Sequence, residues 1–240
     1  VRREKEVDME RIAVVTGANR GIGRQTAEDL AALGFHVLLT ARDEARGREA
    51  AAAMQEKGLP VAFHQLDVTD AASIRRLVKN VADVYGRADV LINNAAVNLD
   101  KGVSPLELDL ATLRQTIETN VYGPFQLCQA LVPLMQRNGY GRIVNVSSQA
   151  GRLSNPQPDG LAYRTSKAAL NMITRVLARR LEGSNILVNA VHPGWVRTDM
   201  GGHHAPLSLA ESTDTIIWLA TLPEDGPTGS FFYRREPMAW

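Results

Sequence analysis

The chain has 240 residues, 45% of them apolar, and balances 27 Lys and Arg against 26 Asp and Glu. That composition excludes a disordered chain and supplies no basic excess for nucleic acid. The single cysteine, Cys128, excludes an intrachain disulfide; its neighbours Leu127, Ala130 and Leu131 predict a buried structural thiol in a reducing, cytoplasmic setting.

Residues 1–10 are charged and contain no apolar signal core, and no run of about eighteen apolar residues occurs. The expectation is a flexible tail followed by one domain over 11–240, neither exported nor membrane-spanning. Short apolar runs then alternate with amphipathic stretches. Strands are predicted at Arg11–Thr16, Phe35–Thr40, Val61–Leu66, Val90–Asn93, Arg142–Val146 and Leu187–Val191, with a seventh at Phe231–Arg234. Helices are predicted between them at Ile22–Leu33, Glu44–Lys57, Ala71–Tyr85, Leu110–Arg137, Tyr163–Leu181 and Leu209–Leu219. Such alternation predicts an α/β fold: a Rossmann-type doubly wound parallel sheet of about seven strands with helices on both faces.

Thr16-Gly17-Ala18-Asn19-Arg20-Gly21-Ile22-Gly23 follows the first predicted strand and opens the first predicted helix. Without side chains at Gly17, Gly21 and Gly23 the backbone can turn sharply and direct helix N-terminal amides at a pyrophosphate, with Asn19 and Ile22 beside it. No Gly-Lys-Ser/Thr ending is present, so a dinucleotide is expected rather than ATP. A protein that selects NAD places an acid after the second strand; here stand Thr40-Ala41-Arg42. Arg42 with Arg20 can hold a 2′-phosphate, which predicts NADP(H).

Tyr163 and Lys167 are four residues apart on a predicted helix and so share a face, where the ammonium is expected to favour phenolate. Ser148 ends an apolar strand and can point its hydroxyl at a substrate oxygen. These residues beside a nucleotide turn predict carbonyl chemistry. The loop Asn155-Pro156-Gln157-Pro158 is expected near the reacting centre.

Together these motifs resemble the short-chain dehydrogenase/reductase family over nearly the whole chain, through Thr16 to Gly23, Asn93-Asn94-Ala95-Ala96, Asn120, Ser148, Tyr163, Lys167 and Pro193-Gly194. Phe63 to Val68, Pro193 to Met200 and Trp240 resemble the NADPH-dependent carbonyl reductases within it. The resemblance implies a catalytic tetrad of Asn120, Ser148, Tyr163 and Lys167, with hydride transfer from NADPH and Tyr163 as the proton donor. It implies that Lys167 lowers the Tyr163 pKa and contacts the ribose, and that Asn120 positions a water. It also implies cofactor contacts from Asp67, Val68, Asn94, Pro193, Gly194, Val196 and Thr198. Asp67 as a helix cap and Asn94 as a strand brace are the competing readings of those two residues. Trp195 is read either as a substrate wall or as core.

Two departures stand out. Ala96 replaces the glycine that usually ends the Asn-Asn-Ala motif. Tyr163 follows Ser148 by only fifteen positions, which leaves no room for the long insertion of the monomeric animal carbonyl reductases.

His192 and His203-His204 lack the companions of a metal site, so no metal is predicted. Gly201–Leu207 reads as a short mobile lid. A 3-oxoacyl carrier-protein reductase and a non-catalytic NADPH-binding regulator are the alternatives to carbonyl reduction. Surplus apolar residues on the helices Leu113–Met135 and Tyr163–Leu177 predict a homodimer or homotetramer. No nucleic-acid or membrane partner is expected.

Overall fold

A computed structural model describes residues 11–154 and 156–240; the expected tail at 1–10 and Asn155 lie outside the described residues. The strands are β1 Ile12–Val15, β2 His36–Ala41, β3 Val61–Gln65, β4 Val90–Asn93, β5 Gly141–Val146, β6 Ile186–Val191, β7 Phe231–Tyr233 and β8 Glu236–Pro237. They form one sheet in the order β3-β2-β1-β4-β5-β6-β7-β8, parallel except for β8. The helices are α1 Gly21–Ala32, α2 Glu44–Gln55, α3 Ala71–Asn80, α4 Leu110–Ile117, α5 Gly123–Asn138, α6 Leu161–Arg180 and α7 Leu209–Ala220.

Alternate side chains of each strand point to opposite faces, and both faces are buried. Ala13 and Val15 pack with Leu30 of α1, Met54 of α2 and Ile216 of α7. Ile12 and Val14 pack on the other face with Leu77 of α3 and with Leu127 and Leu131 of α5. Cys128 is fully buried there and its thiol is pushed up to about 12 by burial, so it is an inert packing residue. Strand order reverses between β1 and β4, which opens a crevice at their C-terminal ends.

Three elements depart from the sequence expectation. Leu110–Arg137 is not one helix: a π-helical turn at Glu118–Tyr122 divides α4 from α5. Pro124 has no N–H to donate to the Asn120 carbonyl, its α-helical partner, and the helix widens just before it. A second π turn, Val81–Tyr85, ends the α3 segment at left-handed Gly86. The eighth strand is two exposed residues, reached through a turn in which Arg234 and Arg235 both have positive φ. Such a turn usually announces itself with Asn or Gly, so two arginines concealed it.

Candidate active site

The loops after β1 to β6 line a cleft of about 1020 Å³. At one end lies the glycine turn. Gly17 has φ +62°, and a Cβ there would meet the Ala95 Cα at 2.9 Å. A Cβ on Gly23 would come within 2.4 Å of Asn94 Nδ2. Neither position admits a side chain, and the backbone of the turn is bared to the cleft. Helix α1 starts at Gly21 with no side-chain cap and no acid in its first turn, so its leading N–H groups are available to an anion. The turn fits a pyrophosphate.

Gly17, Asn19, Arg20, Gly21, Ile22, Arg42, Asp67, Val68 and Asn94 all line the cleft, as do Pro193, Gly194, Trp195, Val196 and Thr198. Gly23 lies beneath them as packing. Asn94 is a brace: its amide nitrogen donates to Thr16 O at 2.9 Å and Gly17 O at 3.1 Å. Asp67 does not cap α3. Its carboxylate accepts from the N–H and hydroxyl of Thr69, and Asp70 caps the helix. Arg20 is ion-paired with Asp199, whereas exposed Arg42 has no ion-pair partner among the described residues.

Ser148, Tyr163 and Lys167 converge on the same cleft. Ser148 leaves β5 in extended conformation and accepts the Ala150 N–H at 3.1 Å, which fixes the rotamer of its hydroxyl on the same cleft as the Tyr163 phenol. Lys167 is buried; its Nζ donates to Val146 O at 2.9 Å and stands 5.5 Å from the Tyr163 ring centroid.

Burial lowers the Lys167 ammonium to about 8. It also raises the Tyr163 phenol, an effect opposed by the Ser148 hydrogen bond. The net direction on Tyr163 is therefore opposite to the one expected from Lys167. The phenol and ammonium share one dehydrated wall, where loss of water outweighs an ammonium turned toward a main-chain carbonyl.

Asn120 does not line the cleft. From the π turn its side chain clamps Val97, accepting the N–H at 2.9 Å and donating to the carbonyl at 2.8 Å, and it also donates to Ser166 Oγ at 3.0 Å. Ser166 in turn donates to Tyr163 O at 2.7 Å. The Asn120 side chain thus ties the strand-end loop to α6 from behind the site.

Sequence reasoning missed Asp100, which is 1% exposed and accepts the main-chain N–H groups of Ala162 at 2.6 Å and Tyr163 at 3.2 Å. The residue at the local cap position is Gly160, which has no side chain to offer. No local pattern announced Asp100. Thr16 was inside the motif, but its role was not read: its hydroxyl accepts the N–H groups of Asn94 and Ala95.

Trp195 is 55% exposed, so it is not core, and its indole N–H donates to Gly201 O at 2.8 Å. Gly201–Leu207 is not a free-standing lid. Arg197 N–H donates to Leu207 O, Leu207 N–H to Trp195 O, and the Arg197 guanidinium to the carbonyls of Ala205 and Pro206. His192 is pushed down to about 4 by burial and rests against Tyr233. No group of three metal-ligating side chains occurs among the described residues.

This sheet, glycine turn and Ser-Tyr-Lys cluster define a dinucleotide-dependent oxidoreductase architecture, and the short chain dehydrogenase profile matches residues 11–206. The chain belongs to that family. It is 36% identical to carbonyl reductase [NADPH] 1 of Bos taurus, covering 95% of this chain and 98% of the relative. It is 32% identical to (+)-neomenthol dehydrogenase of Capsicum annuum, covering 94% and 96%. The NADPH-bound carbonyl reductase from chicken fatty liver superposes with a TM-score of 0.85 at 32% identity, covering 96% of this chain and 99% of that one. The Bos taurus alignment runs over 276 positions, more than the 240 residues here, so the relative carries segments without a counterpart in this chain.

Proposed function

We propose that this protein is an NADPH-dependent oxidoreductase that reduces a ketone or aldehyde to an alcohol, with residues 11–240 acting as one catalytic unit. The observation that carries the reading is the convergence of Ser148 and Tyr163, backed by Lys167, on the cleft that the glycine turn closes. The NADPH-bound chicken carbonyl reductase and the bovine carbonyl reductase [NADPH] 1 support the cofactor assignment.

NADPH, when bound, supplies the hydride. Gly17, Gly21 and the leading amides of α1 hold the pyrophosphate, while Arg42 and Arg20 take the 2′-phosphate. Ser148 and Tyr163 aim two hydroxyls at one substrate oxygen, and this preorganised pair stabilises the negative charge that develops there. Tyr163 gives its proton to that oxygen as the new C–H bond forms. Its raised pKa keeps the proton on the phenol until the alkoxide, a far stronger base, takes it. Lys167 steadies the resulting phenolate and contacts the ribose. Asn120 keeps the 97–100 loop against α6 and positions the water that reconnects Lys167 with solvent. Asp67, Val68, Asn94, Pro193, Gly194, Val196 and Thr198 complete the cofactor bed. Trp195 walls the substrate side.

No helix among the described residues is long and apolar enough to cross a membrane, and the proposed setting is cytoplasmic. The proposed assembly is a homodimer or homotetramer through α5 and α6, where Phe125, Met172 and Val176 are exposed.

The test is NADPH oxidation against a broad panel of ketones and aldehydes, with alcohol formed in equal amount to NADPH consumed. Cofactor binding without oxidation of NADPH by any member would overturn the reading.

A further inference from the structure

Charge is unevenly distributed along the cleft. Its acidic lining residues, Asp67 and Asp199, both stand toward the glycine turn, and Asp199 is paired with Arg20. On the Tyr163 side the cleft is lined by Lys167, whose ammonium is bonded to Val146 O, and by Lys101, Arg152 and Arg164, with no acidic side chain from these segments. Each of the last three is tied to the start of α6 by a neighbour. Lys101 follows Asp100, which holds the N–H of Tyr163. Arg152 follows Gly151, which packs so closely on α6 that a Cβ there would lie 2.7 Å from the Lys167 main chain. Arg164 follows Tyr163 itself.

These cations are not equally committed. Arg164 is neutralised by Asp159, with its Nε donating to Asp159 O at 2.7 Å and its Nη2 standing 3.3 Å from the carboxylate. Asp100 spends its carboxylate on α6 main-chain N–H groups. Lys101 has no ion-pair partner among the described residues. Arg152 is half-buried, and its Nε is fully buried without a hydrogen-bond partner among the described residues. A buried guanidinium donor left without an acceptor is costly, and an anion is the group that satisfies it best.

We infer that the substrate is an anionic carbonyl compound whose carboxylate or phosphate is held by Arg152, with Lys101 reinforcing at the mouth. The inference rests on the carbonyl-reductase reading and adds a substrate class to it. Arg20 lies in the glycine turn and Arg42 after β2, whereas Arg152 and Lys101 come from the loops after β5 and β4, so the cofactor phosphate and the substrate anion draw on different cations.

The experiment compares kcat/KM for keto acids of graded length, levulinate being the shortest, with their methyl esters; matched keto phosphonates form a second arm. One charge-assisted contact is expected to favour the best acid over its ester by about tenfold or more. Arg152→Gln should bring that ratio close to one, Arg152→Lys should retain much of it, and Lys101→Gln should reduce it less. The ranking of carboxylate against phosphonate assigns the anion.

An acid-to-ester ratio near one in the wild type, or one unchanged in Arg152→Gln, would overturn the inference while leaving carbonyl reduction intact. Reduction of an acyl carrier-protein thioester with no preference among the small acids overturns it in favour of an acidic protein face. If no carbonyl oxidises NADPH, calorimetric titration of the NADPH complex with the same acids still decides. Binding lost in Arg152→Gln supports the anion site, and no binding overturns it.

Discussion

Asp100 and Tyr163 are joined by a hydrogen bond from the Tyr163 main-chain N–H to the Asp100 carboxylate, which also accepts from Ala162. A loop after β4 thereby caps the helix that carries the proposed proton donor. Asp100→Ala leaves two helix N–H groups without their acceptor in a buried place. It should cost about 1–3 kcal/mol of stability and lower kcat more than it raises KM, because the phenol loses its fixed position. Asp100→Asn keeps an acceptor and should recover part of both. Urea unfolding and steady-state kinetics check this; an unchanged kcat in Asp100→Ala would remove the positioning role.

Tyr163→Phe retains the ring and its packing but has no proton to give. Turnover should fall by about 100-fold or more while the fold is kept. Circular dichroism with NADPH-oxidation assays reads both, and near-normal turnover in the folded variant excludes Tyr163 as the acid.

Arg20 is engaged by Asp199, so it is only partly available to a 2′-phosphate. Asp199→Asn should release it and lower the KM for NADPH a few-fold with little change for NADH. Arg42→Asp places a carboxylate at the proposed 2′-phosphate site, and the preference for NADPH over NADH should fall by roughly tenfold or more. The kcat/KM ratio for the two cofactors is the readout. An unaltered ratio in Arg42→Asp would move the selectivity elsewhere.

Burial of Lys167 and Tyr163 gives stability a defined dependence on pH. In the folded protein Lys167 deprotonates near 8, against 10.5 for an ordinary lysine. Between those values the unfolded chain binds more protons, so the Lys167 contribution makes stability rise with pH. Tyr163 is raised above 10.0, so beyond that value the unfolded chain loses its proton first and the phenol's contribution falls. Urea midpoints should therefore show the wild type gaining on Lys167→Met between about pH 8 and about pH 10. Parallel curves for the two proteins would contradict the depressed lysine.

Met172 and Val176 are 62% and 58% exposed on α6, beside a shallow groove that Arg175 and Arg179 complete. If this face joins two copies, Val176→Asp should halve the mass seen by light scattering at working concentration. A wild-type monomer would contradict the proposed assembly.

The alternation of apolar runs with amphipathic helices marked seven of the eight strands to within a residue or two, because buried parallel strands bounded by glycine or polar residues are a strong local signal. The glycine turn and the Tyr163 and Lys167 spacing were legible for the same reason, since each is a contiguous pattern with a local physical cause. The break at Pro124 was also written in the sequence, as a residue without an N–H, but the apolar periodicity on either side masked it. Arg234 and Arg235 in left-handed conformation had no such mark at all.

What the sequence determined by itself was the doubly wound sheet, the glycine turn and the shared helical face of Tyr163 and Lys167, because these rest on propensity, spacing and side-chain chemistry. What tertiary structure decided was the partnership of distant groups. Asp100 finds α6 across 63 residues of chain, Asn94 turns its amide to the glycine loop, and Arg20 finds Asp199. Lys167 is lowered and Tyr163 raised by one dehydrated wall, and Arg152, a residue of the cleft lining, is left with a buried donor that has no partner among the described residues. Hydration and three-dimensional proximity set those properties, and neither is encoded in the spacing of any one segment.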